Sequence, residues 1–124
     1  MAHAKYIGTR LKEFAKFQEG WLNGRGKTFN SNDLQKLAKD FERYFAPDLP
    51  LPYLYPTPKG GVMAEWSFGT CEVSLEIELP SQDAYYHQIY METKQDMGSE
   101  LQLNNADAWL ELNSKLQKII VEQL

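Results

Sequence analysis

The chain has 124 residues, 43% of them hydrophobic and 13% aromatic, which is the size and composition of one globular domain and excludes a disordered chain. No run approaches the ~20 apolar residues of a membrane span, and the N-terminal stretch MAHAKYIGTRLKEF lacks the apolar segment of a secretory leader. The net charge of −4 hides an asymmetry: residues 1–46 carry nine Lys/Arg against five Asp/Glu, a surplus of +4, and residues 47–124 carry four against twelve, a deficit of −8.

The first element is helical. Between Ala4 and Gln18, Ile7, Leu11 and Phe14 fall at helical spacing, with Tyr6 and Phe17 alongside. Gly20, Gly24 and Gly26 then break the chain, and Trp21 and Leu22 between them are expected to plug the core. A second helix is expected from an N-cap at Ser31 or Asn32, with Asp33 in its first turn. Leu34, Leu37, Ala38, Phe41 and Phe45 form its apolar stripe. Pro47 stops it by disfavouring helical geometry at Ala46.

The segment PDLPLPYLYPTP follows. It can be read as a polyproline ligand or as an extended connector into an edge strand, where proline is tolerated. Leu49, Leu51, Tyr53, Leu54 and Tyr55 are too apolar for an exposed linker and favour the connector. Lys59-Gly60-Gly61 reads as a hairpin turn. Three strands then follow, Val62–Phe68, Cys71–Leu79 and Ala84–Thr93, separated by Gly69-Thr70 and Pro80-Ser81-Gln82-Asp83, the pattern of an antiparallel meander. Leu101-Gln102-Leu103 suggests a short edge strand. A last helix begins at an Asn104 or Asn105 cap, with Trp109, Leu112, Leu116, Ile119 and Ile120 facing the sheet.

The expected fold is therefore α+β: an antiparallel meander of three to five strands packed in two layers against N- and C-terminal helices. One domain spans 1–124, helical over 1–46, extended and sheet-forming over 47–103, and helical over 104–124.

Alternate strand residues point to opposite faces. Val73, Leu75, Ile77 and Leu79 oppose Glu72, Ser74, Glu76 and Glu78; Val62, Ala64, Trp66 and Phe68 oppose Met63, Glu65 and Ser67. Burying the apolar sets under the helices leaves Glu65, Glu72, Glu76 and Glu78 together on the open face. Like charges directly opposite each other destabilise a sheet mildly. A solvated face that guards against aggregation is one reading. A docking surface for a protein partner with a basic surface is the other, and these glutamates are its candidate site residues. In the following strand, Tyr86 and Tyr90 share one face, and Tyr85, His87, Ile89 and Met91 the other.

Catalytic and metal chemistry finds little support. Trp21–Thr28, WLNGRGKT, ends like a phosphate-binding loop, but Trp21 stands where that loop needs glycine and no strand precedes it. His3, Cys71 and His87 lack the regular spacing of metal ligands. Cys71 with His87 is the one candidate nucleophile–base pair; with Tyr85 they define an alternative reading, a small enzyme or ligand binder with a pocket between sheet and helices. The sequence implies no cofactor, and the acidic balance disfavours nucleic acid. Cys71, the single cysteine, permits no internal disulfide and fits a reducing cytoplasm. A homodimer joined through an open sheet edge or face is a further alternative.

Leu51–Leu79 also resembles a family of small uncharacterised bacterial proteins with a core of the type PTPxGGVxxEW…(E/D)(V/I)SLEIE. Pro56-Thr57-Pro58, Gly60-Gly61-Val62, Glu65-Trp66 and Ser74–Glu78 carry the likeness. Gly20-Trp21-Leu22-Asn23-Gly24 is similar to its GWLDG segment, and Leu103 to Trp109 to its LDLDDPEAW-type helix start. The chain departs from it at Met63, where glutamine is usual, and at Asn104-Asn105, where acidic residues are usual. The resemblance implies a compact bacterial or phage-borne domain and brings no activity and no catalytic residues.

Overall fold

Strict alternation in the strand sequences decides the layering. The computed structural model describes residues 2–124, with side chains from Tyr6 onward. It contains helices α1 (Ala2–Phe14) and α2 (Ser31–Tyr44), strands β1 (Tyr53–Pro56), β2 (Val62–Phe68), β3 (Cys71–Ile77), β4 (Asp83–Tyr90) and β5 (Asp96–Gln102), and helix α3 (Ala106–Glu122). The strands form one antiparallel sheet in the order β1-β2-β3-β4-β5. The fold is the expected α+β meander, with helices at both ends of the chain.

Val62, Ala64, Trp66, Cys71, Val73, Leu75, Ile77, Ala84, Tyr86 and Leu101 are buried on one face. The helices deliver Ile7, Leu11, Phe14, Leu37, Phe41, Trp109, Leu112 and Leu116 into the same core. Each such aliphatic or aromatic side chain contributes roughly 1.5–3 kcal/mol by leaving water. Trp109 is fully buried; its indole Nε1 donates to Leu103 O at 2.7 Å, and its ring meets Phe41 edge-on at 4.8 Å. Asn113 ties α3 to the end of α2, donating to Tyr44 O at 2.9 Å and accepting from Ala46 N at 3.2 Å.

Several expected boundaries move. The N-cap of α2 is Asn30, whose carboxamide accepts from the amides of Asn32 and Asp33, and not Ser31 or Asn32. Asn105 caps α3 by position but makes no side-chain bond. Helix α1 ends at Phe14 and takes in His3, whose side chain lies outside the described residues. Strand β3 ends at Ile77 and β4 at Tyr90, earlier than the alternating patterns suggest. The edge strand expected at Leu101-Gln102-Leu103 begins five residues earlier, at Asp96.

Leu22 does not plug the core: it is 42% exposed. Trp21 is half-buried, stacked on Phe17 at 5.0 Å, with its Nε1 donating to Lys27 O at 2.9 Å. This turn is possible because Gly26 has φ +102° and no side chain; a Cβ there would sit 2.6 Å from the Trp21 indole.

The proline segment is the connector and edge strand, as its apolar residues favour. Leu49, Pro52 and Leu54 are buried, and Trp66 Nε1 donates to Pro50 O at 2.9 Å. Thr57 and Gly61 close the β1–β2 hairpin: Gly61 N donates to Thr57 Oγ1 at 2.9 Å. A Cβ on Gly61 would run into Ile77 O, so the backbone of β3 leaves room only for glycine.

Candidate functional site

The face of the sheet away from the helices is open, and the register fixes its occupants. One cross-strand row runs Tyr55–Met63–Glu76–Tyr85–Glu100 and the next Tyr53–Glu65–Ser74–His87–Gly98. A third runs Ser67–Glu72–Ile89–Asp96. Glu78, just beyond the end of β3, and Asp83, the first residue of β4, extend the same face. All four glutamates expected on this face are there and exposed.

The register also separates their charges. Glu65 lies between Tyr53 and Ser74, Glu72 between Ser67 and Ile89, and Glu76 between Met63 and Tyr85. None of these three faces another carboxylate directly; of the four glutamates Glu78 alone stands across from one, Asp83, and the other repulsions run diagonally or along the strand. The Ser67 hydroxyl donates to the Glu72 carboxylate. Among the described residues, Glu65, Glu72, Glu76, Glu78, Asp83 and Glu100 have no ion-pair partner; the single ion pair of this face is His87 Nε2 with Asp96 Oδ2 at 2.9 Å.

Exposed aromatic rings stand among the carboxylates. Tyr53 is 67% exposed, Tyr85 50% and Tyr55 44%. Tyr85 stacks parallel to His87 at 6.5 Å and crosses to β5, where its hydroxyl occupies the space that a side chain on Gly98 would take. A shallow groove of about 550 Å³ runs past Tyr53, Tyr55, Glu65, Glu72 and His87. A second, of about 390 Å³, lies among Lys59, Glu76, Glu78, Asp83, Tyr85 and Glu100. Carboxylates beside tyrosine faces can take a Lys or Arg side chain twice over, by charge-assisted hydrogen bonds and by cation–π contact.

The alternative pocket does not form from the residues proposed for it. Cys71 is fully buried on the helix-covered face, whereas Tyr85 and His87 lie on the open one, so the sheet itself separates thiol from imidazole. Burial pushes the Cys71 thiol up, a direction opposite to nucleophile activation. Its cross-strand neighbour Tyr90 donates to Glu122 Oε2 at 2.5 Å, and that bond pushes the Tyr90 phenol up to about 12. No group of three or more His, Cys, Asp or Glu among the described residues converges as a metal site. No described helix is long and apolar enough to cross a membrane.

Tyr53, Tyr55, Asp83, Asp96 and Glu100 belong to the face and are not among the candidates that the sequence singles out. Their signal is parity: once β1 and β5 are placed, they fall in step with Glu65, Glu76 and Tyr85. The segment that carries the family resemblance forms the β1–β2–β3 part of the sheet, and Met63 lies on the open face beside Glu76. No protein-family model, curated protein or solved structure matches the chain.

Proposed function

We propose that this chain is a non-enzymatic binding protein that caps a basic surface on a partner protein, as an immunity protein, an antitoxin or a phage-encoded inhibitor does. Glu65, Glu72, Glu76 and Glu78 are its central contacts, joined by Asp83 and Glu100 and anchored by Tyr53, Tyr55 and Tyr85. The observation that carries this reading is a broad, solvent-exposed sheet face whose carboxylates, Asp96 apart, have no ion-pair partner among the described residues. Such a field accelerates encounter with a basic partner and fixes its orientation, while exposed tyrosines supply apolar contact. The basic helical half, with Lys12, Lys36 and Lys39 exposed, adds polarity to the steering field. The single, fully buried thiol of Cys71 fits a reducing compartment such as the cytoplasm.

Affinity capture from a lysate of the native host tests the reading, with the wild-type protein and a Glu72/Glu76/Glu78→Gln variant as parallel baits. A basic protein retained by the first and lost by the second is the expected result. The same proteins on both baits would remove this face from consideration.

A further inference from the structure

The two edges of the sheet are not equivalent. At β1 the outward backbone positions are Leu54 and Pro56, because Thr57 N bonds inward to Gly61 O and pairing alternates from there. Pro56 has no N–H to offer, and Leu54 O already accepts from Arg10 Nε at 3.1 Å. This edge is closed to a further strand. At β5 the inward bonds run from Tyr90 N to Gln95 O and from Leu103 N to Gln82 O, so Asp96, Gly98 and Glu100 turn their N–H and C=O groups outward. Among the described residues these outward groups have no hydrogen-bond partner, and all three residues are exposed.

We infer that β5 is a docking edge that takes an extended, basic segment of the partner as a sixth strand. The inference rests on the proposed reading of the acidic face and says how the partner sits on it. Asp96 and Glu100 project from β5 onto the open face, so Lys or Arg at alternate positions of an added strand would lie beside them. A second copy of this chain is the poorer occupant. Antiparallel β5–β5 pairing about Gly98 would set Asp96 against Glu100 of the other copy twice.

The test uses the full-length ¹⁵N-labelled protein and two synthetic peptides, Lys-Val-Lys-Thr-Lys-Val-Lys and the same peptide N-methylated on the backbone amides of its lysines, which keeps its charge and removes the donors that would face Asp96, Gly98 and Glu100. The unmethylated peptide is expected to shift and protect the amides of Asp96, Gly98 and Glu100. Methylation is expected to weaken it about tenfold or more, because the methylated amides can no longer donate to the outward carbonyls of β5. Glu100→Gln, which keeps the outward N–H, should retain this methylation effect. Equal binding of both peptides, with shifts centred on Glu65, Glu72 and Glu76, would overturn the edge inference and leave the acidic-face reading standing. No binding by either peptide, or a doubled mass of the free protein, would overturn the inference as well.

Discussion

Replacing Glu72, Glu76 and Glu78 together by glutamine should stabilise the free protein. The register makes Glu72 and Glu76 diagonal neighbours of Glu65, places Glu78 two residues from Glu76 and sets it across from Asp83. Diagonal neighbours on a sheet stand ~7 Å apart. Two like charges at that separation repel by about 0.6 kcal/mol in water, roughly halved by screening at physiological salt. Removing the five contacts Glu65–Glu72, Glu65–Glu76, Glu76–Asp83, Glu76–Glu78 and Glu78–Asp83, the last a directly opposed and closer pair, therefore gains on the order of 1–2 kcal/mol, or a rise of roughly 4–8 °C in Tm. The amide oxygen that replaces the Glu72 carboxylate can still accept from Ser67, so no bond of the fold is given up. Urea titrations at 20 mM and 500 mM NaCl read the effect directly. The gain should be largest at low salt and nearly vanish at high salt. A variant less stable than wild type at both salts would show that these carboxylates hold the sheet together, and would refute the argument that they are free for a partner.

Three further outcomes follow from the geometry. Gly61→Ala should destabilise by about 2 kcal/mol or more in urea, because the new Cβ would meet the Ile77 carbonyl and backbone cannot step aside cheaply; a change under about 0.5 kcal/mol would contradict the packing of the β1–β2 hairpin. Asn30→Ala should cost about 1 kcal/mol by leaving the Asn32 and Asp33 amides uncapped, whereas an Asn105→Ala change, which breaks no cap bond, should cost much less. Stability should fall as pH rises above the ordinary thiol value of 9.0 and on towards pH 12. The native fold holds the protons of Cys71, Tyr86 and Tyr90 above their ordinary values, so the unfolded chain loses them first. Tyr90→Phe should flatten this decline between pH 10 and 12, and an unchanged slope would remove the Tyr90–Glu122 bond as its cause.

Much of the fold is legible in the sequence because period-2 alternation is strong in β2 and β3. Val73, Leu75 and Ile77 against Glu72 and Glu76 leave no doubt which face is buried. The edges are less legible. Strand β5 reads DMGSELQ, polar and with a central glycine, and its pairing comes from β4 and from Tyr85 lying over Gly98, which no local pattern reveals. Asn30 is hidden beside Ser31, Asn32 and Asp33, all good capping residues, and what selects it is the extended backbone at Asn30 that leads into the helix, a conformation no local pattern assigns. Leu22 reads as core because it is apolar, yet the glycine turn carries it outward. The glutamate cluster is readable, but its spacing is not: the separation of charges depends on cross-strand register. Likewise, only the parity of β3 and β4 shows that Cys71 and His87 stand on opposite sides of the sheet.

The measurement that bears most directly on the acidic face is the affinity of the captured partner, purified, for wild type and for the Glu72/Glu76/Glu78→Gln variant at 50 mM and 500 mM NaCl. Binding by wild type that weakens steeply with salt, and binding by the variant that is weaker and far less salt-dependent, is the predicted result. Equal affinities with the same salt dependence would contradict the claim that this face recognises the partner.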